Sequence, residues 1–262
     1  KIIQKILYFL ESLIYKNASA VVALSVDMKH SITSRYPKLT NKPIEVIENI
    51  SEIDRFQNGH NNRISLLNKM IGFKPRFTIL YAGTFGHVNG IDYVIELASK
   101  LIKLDPGIVF LLIGDGAKKE EVTDKALKKG VLDNNVFISE SVSKLELPQL
   151  YFECDIGSSF VVPVKELWSN SANKFFDTLA AGKPILINYE GWQKEVINKE
   201  NIGYVLPCEL NDIEIEKFIS YSKNEKLILE QQKNSLNIAK KYYSQDLAVL
   251  KYNKILRDIV NF

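Results

Sequence analysis

From residue 77 onward, short runs of apolar and β-branched residues alternate with amphipathic stretches long enough to form helices. This alternation is typical of β-α-β units, in which successive strands pair in parallel. Some runs are apolar throughout, as in residues 110–113, which is expected of strands covered on both faces. The sequence therefore predicts an α/β fold with a doubly wound, Rossmann-like parallel sheet and flanking helices. We expect strands at residues 77–82, 109–113, 136–138, 156–161, 184–188 and 203–206.

The amphipathic stretches between these runs predict the helices that cover the sheet. After Pro207 the pattern becomes wholly helical, so the last part of the chain adds helices but no strand. The expected helices are residues 90–103, 118–129, 144–153, 172–181, 193–198, 212–223, 225–243 and 245–260.

The first seventy residues follow a different pattern. Residues 1–15 and 27–36 predict helices, residues 20–24 and 44–47 predict strands, and the polar segment 57–62 predicts a loop. The first helix carries few cations. Packing against a neighbouring domain is therefore favoured over binding to a membrane surface.

Composition narrows the classes of function. The net charge of +3 is small and the charges of both signs are mixed, which argues against a nucleic-acid-binding surface. Cys154 and Cys208 imply neither a disulfide framework nor a zinc site, and a reducing compartment fits best. No apolar run approaches the ~20 residues of a transmembrane helix. Because the chain begins at Lys1 rather than Met, we expect it to be a piece of a longer protein.

Residues 169–187 predict a helix that begins beside a ligand and leads into a buried strand. Ser169, Asn170 and Ser171 are all good N-caps. Gly182, followed by Pro184, is a typical helix end. The apolar stripe of this helix consists of Ala172, Phe175, Phe176 and Leu179.

The opposite face of this helix carries Asn173, Lys174 and Asp177 near its start. Residues three and four apart share a face, and free N–H groups and the positive helix dipole favour an anion there. In one interpretation Lys174 neutralises a diphosphate and Asp177 accepts hydrogen bonds from two ribose hydroxyls. The residues alone leave a second interpretation open, in which Lys174 and Asp177 are a solvated pair on an ordinary amphipathic helix.

Two glycine-containing turns follow predicted strands, and neither matches the G-x-G-x-x-G fingerprint or a phosphate-binding lysine loop. Each turn by itself could be only a tight turn. Together with the segment at Ser169, however, they would lie at the carboxyl edge of the sheet, where open α/β sheets bind ligands. The sequence therefore favours one nucleotide crevice. The turns contain Gly83, Gly86 and Gly90 in the first and Gly114 and Gly116 in the second.

Metal and nucleophile chemistry have little support in the sequence. No Asp-x-Asp pair is present to hold a divalent ion on a diphosphate, and no G-x-S-x-G motif is found. Ser158 and Ser159 end a predicted strand without a nearby partner. His30, His60 and His87 are isolated, although His87 lies in the first glycine turn and could contact a ligand. We expect no metal ion and no covalent nucleophile.

Taken together, these segments resemble the C-terminal, donor-binding half of family four glycosyltransferases, which are retaining enzymes of the GT-B fold. The resemblance extends over nearly the whole chain. Residues 18–25 resemble the last strand of the N-terminal domain, 44–56 the hinge segment with its usual Asn, and 81–92 the glycine loop. Residues 110–116 resemble the G-x-G strand end, 136–142 the base-contacting strand, 150–156 the segment before the signature, and 169–184 the signature itself.

In this family two glutamates eight positions apart contact the donor. The second corresponds to Asp177, which implies a role in holding the ribose, whereas the first corresponds to Ser169, so the usual sugar-contacting carboxylate is missing. Positions that often carry Arg and Lys for the diphosphate are Thr84 and Asn89. The pattern is similar to a subgroup of bacterial surface-polysaccharide transferases with an Asn-Lys pair before the acidic residue. The resemblance therefore implies that Lys174 supplies the missing charge.

The resemblance implies a retaining, metal-independent glycosyltransferase in cell-surface polysaccharide synthesis. Its donor would be a nucleotide-diphosphate sugar, a UDP-sugar, its acceptor a saccharide or lipid-linked saccharide, and it would need no cofactor. We expect it in the cytoplasm, at the inner face of the plasma membrane, with peripheral membrane association and no nucleic-acid partner. The expected catalytic residues are Lys174 and Asp177, and the expected donor-binding residues are Gly83, Thr84, Gly86, Asn89, Gly114, Gly116, Ile138, Ser169, Asn170, Ser171, Ala172 and Asn173.

The resemblance also implies a division into domains. Residues 1–30 would trail from an N-terminal acceptor domain, residues 31–243 would bind the nucleotide-sugar, and residues 244–262 would cross back. The chain alone is then expected to bind nucleotide without transferring sugar. The departures at Ser169 and Thr84 leave two other classes open, a non-catalytic nucleotide-sugar-binding module and a UDP-sugar epimerase of similar fold.

Overall fold

The first elements of the chain lie outside the main sheet. The structure is a computed structural model that describes residues 2–39, 42–59 and 65–260. Strands β1 and β2 pair in parallel as a separate two-stranded sheet. The elements in chain order are α1 (Ile2–Asn17), β1 (Val21–Ala23), α2 (Val26–Arg35), a 3-10 turn (Pro37–Leu39), β2 (Ile44–Val46), α3 (Ile53–Asn58) and α4 (Leu66–Ile71).

The rest of the chain builds a six-stranded parallel sheet with helices on both faces. Its elements are β3 (Phe77–Ala82), α5 (Ile91–Leu104), β4 (Ile108–Ile113), α6 (Lys119–Lys128), β5 (Val136–Ser139), α7 (Leu147–Glu153), β6 (Ile156–Ser159), a 3-10 turn (Lys165–Leu167), α8 (Asn173–Ala180), β7 (Ile185–Ile187), α9 (Trp192–Glu200) and β8 (Gly203–Val205). They are followed by α10 (Asp212–Ser222), α11 (Glu225–Tyr242) and α12 (Gln245–Val260).

The strand order β5-β4-β3-β6-β7-β8 makes the sheet doubly wound, as the sequence predicts. The chain runs outward from β3 to β5, returns past its starting point to β6, and continues to the other edge. Every neighbouring pair in this sheet is parallel. The order reverses between β3 and β6, and this switch point is where such sheets bind ligands.

Burial on both faces explains why the strands are apolar throughout. All six residues of β4 are buried. In β3, Ile79 and Tyr81 pack with residues of α5 and α10 on one face of the sheet, whereas Leu80 packs with residues of α3 and α7 on the other. Strands with two covered faces carry a strong local hydrophobic signal, which is why their positions could be predicted.

The prediction of a loop at residues 57–62 is wrong at its start, because α3 continues to Asn58. Phe56 is buried against the ring of Tyr151, and the Gln57 amide donates a hydrogen bond to the Ala180 carbonyl at 2.8 Å. A six-residue helix depends on such tertiary contacts more than on its own periodicity, so the sequence pattern missed it. Residues 60–62 of that segment, which include His60, lie outside the described residues.

Helices α1 and α12 leave much of their apolar surface exposed. None of the residues of α1 is buried, and in α12 only Ile255 is. Ile2, Phe9 and Ile14 on α1 are each more than 60% exposed. No helix within the described ranges is both long and apolar enough to cross a membrane.

Helix α8 approaches β6 so closely that the strand needs glycine at the contact. A Cβ on Gly157 would lie 2.7 Å from Cγ2 of Thr178 and would overlap its Oγ1. The same hydroxyl donates a hydrogen bond to the Lys174 carbonyl at 2.7 Å within α8. The contact therefore sets the distance between α8 and the sheet.

We predict that Gly157→Ala lowers the free energy of unfolding by about 1–3 kcal/mol, because the added methyl group overpacks this contact. The double variant Gly157→Ala/Thr178→Ala should be less destabilised than the sum of the two single variants, since the clashing atoms are gone. Urea denaturation of the four proteins in this cycle measures the effect. A Gly157→Ala protein as stable as the original would contradict the contact.

Candidate nucleotide-binding site

Two glycine loops meet at the carboxyl ends of β3 and β4. The Gly83 N–H donates a hydrogen bond to the Ile113 carbonyl at 2.9 Å, and the Phe85 N–H donates to the Asp115 carbonyl at 2.8 Å. A Cβ on Gly114 would overlap the carbonyl oxygen of Gly83. The loops thus pack backbone against backbone, which leaves main-chain groups at the surface of the crevice.

A cavity of about 300 Å³ lies beside these loops. Its wall on the loop side includes Gly83, Thr84 and Gly114, as the sequence predicts for these three residues. The cavity is also lined by Ser141 and Val142, which lie at the end of the segment that resembles the base-contacting strand, and by Leu147, which the sequence analysis did not identify. The expected Ile138 does not line the cavity, and its half-buried side chain packs against the core.

Helix α8 begins one residue later than predicted. Its N-cap is Ala172, which makes no side-chain capping hydrogen bond, so Ser169, Asn170 and Ser171 are not the N-cap. The Asn170 side chain accepts a hydrogen bond from the Ala172 N–H at 3.2 Å, and the Ser169 hydroxyl donates to the Glu166 carbonyl at 3.2 Å. The first N–H groups of α8 are therefore not satisfied by a capping side chain and remain suited to an anion.

Lys174 extends from α8 over the first glycine loop. Its Nζ lies 3.1 Å from the position that a Cβ on Gly83 would take, and 5.0 Å from the ring centroid of Tyr81. Burial lowers the pKa of Lys174 to about 8, and the charge of Asp177 opposes that shift. The ammonium group therefore lies in a poorly hydrated place beside the loop backbone.

Asp177 lies one turn further along α8 and is also shielded from water. Burial raises its pKa to about 6; Arg55 and Lys174 lower it and Glu52 raises it. Among the ion pairs of residues 2–39, 42–59 and 65–260, none joins Lys174 to Asp177. The interpretation as a solvated surface pair is therefore wrong, since neither group is fully hydrated and they are not paired.

The segment after β2 fixes the start of α8. The Asn49 amide donates hydrogen bonds to the Ser171 carbonyl at 2.6 Å and to the Asn173 side chain at 2.8 Å. Two residues after Asn49, the buried Ser51 hydroxyl donates a hydrogen bond to the Phe176 carbonyl at 3.0 Å. These contacts join the hinge-like segment to the helix that carries both charged residues.

Other expected residues have structural roles in their own turns. The Asn89 N–H donates a hydrogen bond to the Gly86 carbonyl at 3.1 Å, so Asn89 closes that turn. A Cβ on Gly116 would lie 2.6 Å from the Phe85 carbonyl oxygen, so the second loop packs against the first. His87 is exposed. The Ser158 hydroxyl is buried and donates to the Leu80 carbonyl at 2.9 Å.

Larger cavities lie elsewhere in the described part of the chain, and two of them suit a nucleotide less well for reasons of charge. One of about 820 Å³ beside α6 is lined by several carboxylates, including Asp115, Glu120 and Glu140, which would repel a diphosphate. Another of about 430 Å³ lies near the end of α1 and includes Lys42, whose ammonium already donates to the carbonyls of Tyr15, Lys16 and Ala18. Within the described ranges no group of three or more His, Cys, Asp or Glu side chains could hold a metal ion.

The fold and the crevice at its switch point define a Rossmann-like α/β protein. The model of the family described as glycosyl transferases group 1 matches residues 69–242, which is more than half of the chain. The chain belongs to this family.

Relatives agree with this assignment. The chain is 22% identical over 199 residues to spore coat protein SA of Bacillus subtilis, covering 72% of this chain and 52% of that protein. It is 30% identical over 98 residues to the putative colanic acid biosynthesis glycosyl transferase WcaI of Escherichia coli, covering 37% of this chain and 24% of that protein. The chain thus spans about half the length of the first of these relatives and a smaller part of the second.

The fold is also that of solved structures. The structure of Alr3699/HepE from Anabaena in complex with UDP and glucose matches 97% of this chain and 67% of its own chain, with a TM-score of 0.74 and 18% sequence identity. At this identity the match shows the fold. The expected similarity to the donor-binding half of a GT-B glycosyltransferase is confirmed by the family and the fold together.

We predict that Asp177→Asn stabilises the ligand-free protein near neutral pH. The folded-state pKa of Asp177 is raised from 3.8 to about 6, so its side chain favours the folded state only in the protonated form. That contribution to stability is lost as the pH rises through 6. Because the amide of the variant carries no charge, no charge is buried, and the free energy of unfolding should rise by on the order of 1–2 kcal/mol at pH 7.5.

The gain should disappear below about pH 4, where Asp177 is protonated in both the folded and the unfolded protein. Thermal denaturation at pH 7.5 and 4 measures it. The exposed Asp124→Asn variant is the control, and its stability should change by less than ~0.5 kcal/mol. Equal stability of Asp177→Asn and the original protein at pH 7.5 would contradict the burial of this charge.

Proposed function

We propose that the chain binds the nucleotide-diphosphate part of a UDP-sugar at the carboxyl edge of its sheet. The observation that carries this proposal is the position of the Lys174 ammonium over the Gly83 backbone, at the uncapped start of α8 and one turn before Asp177. A cation, free N–H groups and a carboxylate in that order match the diphosphate and the ribose of one nucleotide.

The whole protein would be a retaining, metal-independent glycosyltransferase that acts on a saccharide or lipid-linked acceptor. Departure of the diphosphate concentrates negative charge on its oxygens, and Lys174 and the first amides of α8 would stabilise that charge. Because Lys174 is shielded from water, its attraction for the leaving group is stronger than that of a hydrated lysine. Asp177 would hold the ribose, so the diphosphate is kept at the helix start.

The relatives support the choice of substrates. WcaI is described as acting in colanic acid biosynthesis, and the structure from Anabaena contains UDP and glucose. By this likeness we propose a UDP-sugar donor and a role in cell-surface polysaccharide synthesis. The protein would then work in the cytoplasm at the inner face of the plasma membrane, associated with that face peripherally and without a cofactor.

A non-catalytic nucleotide-sugar-binding module is the second candidate. It is favoured by the Ser169 side chain, which hydrogen-bonds within its own turn where the family has a carboxylate, and by the uncharged side chain of Asn89 at a position where a cation is usual. Incubation of the full-length protein with UDP-sugars and acceptors separates the classes. Transfer supports the first proposal, binding without turnover supports the second, and an isomerised donor would indicate an epimerase.

We predict different effects of the two charged residues on nucleotide binding. Lys174→Ala should weaken the binding of UDP far more than the binding of uridine, because only UDP carries the diphosphate. Asp177→Ala should weaken both ligands by roughly 1–3 kcal/mol, the usual cost of losing hydrogen bonds to a charged group. Calorimetry measures the four affinities, with Lys103→Ala, an exposed lysine at the end of α5, as the control. Unchanged UDP affinity in both site variants would refute the assignment.

We also propose the domain division implied by the sequence. Residues 1–30 would belong with an acceptor domain and residues 31–243 would bind the donor. Residues 244–262 would cross back to the acceptor domain, and the exposed apolar surfaces of α1 and α12 are consistent with this arrangement.

We therefore predict that the 262-residue chain binds UDP but transfers no sugar, since the acceptor pocket and any base acting on the acceptor would lie in the other domain. Product analysis by mass spectrometry, with the full-length protein as the control, measures transfer. Sugar transfer by the 262 residues alone would mean that they hold a complete active site.

A further inference from the structure

Residues 168–172 lead into the start of α8, and we call them the entry segment. The hydroxyl of Ser25, a buried residue, donates a hydrogen bond to the Ser169 carbonyl at 2.8 Å, across 144 positions of the chain. The same hydroxyl oxygen accepts a hydrogen bond from the Met28 N–H at 3.1 Å and caps α2. The start of α2 is therefore bound directly to the entry segment.

Helix α9 holds the next residue of the entry segment. The Trp192 indole N–H donates a hydrogen bond to the Asn170 carbonyl at 2.9 Å, and the buried Gln193 amide donates to the same carbonyl at 3.3 Å. The Asn170 side chain in turn accepts a hydrogen bond from the Ala172 N–H at 3.2 Å. The position of α9 therefore determines that of Asn170 and, through it, that of the residue before α8.

Asp27 of α2 caps the start of α9. Gly191, which precedes α9, has a φ of 96° and makes no side-chain capping hydrogen bond. The Asp27 carboxylate accepts a hydrogen bond from the Trp192 N–H at 3.0 Å, and a carboxylate at a helix N-terminus is favoured by the free N–H groups and the helix dipole. A Cβ on Gly191 would lie 3.0 Å from Oδ2 of Asp27 and 3.0 Å from the Trp168 carbonyl oxygen. The start of α2, the start of α9 and the entry segment therefore meet at one junction.

The rest of α8 has contacts of its own. The Ser51 hydroxyl binds the Phe176 carbonyl at 3.0 Å, and Thr178 lies against Gly157 of β6. Asp177 lies between these two contacts along the helix, so its position depends less on the entry segment. The first N–H groups of α8, by contrast, follow the entry segment directly.

We propose that Ser25 and Asp27 are positioning residues of the diphosphate site, which hold the entry segment so that the free N–H groups at the start of α8 keep a fixed place. Amides that are already in place need no reorganisation when an anion binds, whereas a loose segment would have to be ordered at a cost in entropy. The assignment of a diphosphate rests on the proposed function, but the junction is a property of the ligand-free protein.

A purely structural role for Ser25 and Asp27 makes a different prediction. If the two residues only stabilised the fold, their loss would lower the free energy of unfolding and leave the affinities of the folded protein for UDP and uridine unchanged. If they position the entry segment, their loss lowers the affinity for UDP more than the affinity for uridine, because only UDP has a diphosphate to place at the start of α8. The ratio of the two affinities therefore separates the two roles.

The first test is calorimetry with UDP and with uridine. Ser25→Ala and Asp27→Ala should each weaken the binding of UDP by about fivefold, because ordering of the segment then opposes binding while Asn49 still holds its end. The affinity for uridine should stay within about twofold, since the turn that carries Asp177 keeps its own contacts. Asp27→Asn should have a smaller effect than Asp27→Ala, because the amide oxygen can still accept the hydrogen bond from the Trp192 N–H.

Two variants serve as matched controls. Ser65, like Ser25, caps a helix and donates a second hydrogen bond, but that bond goes to Glu153 at 2.9 Å rather than to the entry segment. Asp54, like Asp27, is an acidic residue in the first turn of a helix, and it is exposed. Ser65→Ala and Asp54→Ala should leave the ratio of UDP to uridine affinity unchanged. Circular dichroism confirms that each variant is folded, and if Asp27→Ala does not fold, the same measurements on Asp27→Asn take its place.

The second test needs no ligand. It follows hydrogen exchange of the Trp192 indole N–H by NMR, with the signal assigned by its loss in Trp192→Phe. The chain contains only two tryptophans, Trp168 and Trp192, so the indole region of the spectrum is simple. Exchange should be faster in Ser25→Ala and Asp27→Ala than in the control variants, because local opening of the junction then requires less free energy.

An unchanged ratio of UDP to uridine affinity in both folded variants, Ser25→Ala and Asp27→Ala, overturns the proposal. Failure of the original protein to bind UDP or uridine refutes the proposed function instead. The exchange measurement then decides whether the two residues hold the entry segment, and unchanged exchange of the Trp192 indole in both variants overturns that role.

Discussion

The close contact between α8 and β6 is the constraint on which the rest of the site depends. Gly157 has no side chain, so Thr178 can lie directly against the strand. At that distance Lys174, one turn before Thr178, reaches the backbone of Gly83 in the loop that follows the neighbouring strand β3. A larger residue in β6 would lift the helix and move the ammonium away from the glycine loop. A single absent methyl group therefore positions the principal cation of the crevice.

The two charged residues of α8 destabilise the folded protein when no ligand is bound. Burial opposes the charged form of both Lys174 and Asp177, and they are not joined in an ion pair that would offset it. Such unpaired, shielded charges are frequent at functional sites, where a ligand supplies the missing partner. A bound diphosphate would give Lys174 its counter-ion, and ribose hydroxyls would give Asp177 its donors. The structure thus has the electrostatic features of a site that is completed by binding.

The segment between the two sheets, which contains α3, holds the helix that carries both charged residues. Asn49 binds the residues that begin α8, and Ser51 and Gln57 bind its backbone further along. Movement of this segment would therefore move the start of α8 and the two charged residues that it carries.

The sequence by itself determined the six strands of the sheet and the helices between them, and it singled out Lys174 and Asp177 as charged residues near the start of α8. These features leave local signals, since two-sided burial makes a strand apolar throughout and a helix repeats its faces every three or four residues. Only the tertiary structure decided the helix α3, the N-cap at Ala172 and the cavity wall at Leu147. Each of these depends on contacts between segments far apart in the chain, as in the hydrogen bond from Asn49 to Ser171 across 122 positions, and such contacts leave no pattern in neighbouring residues.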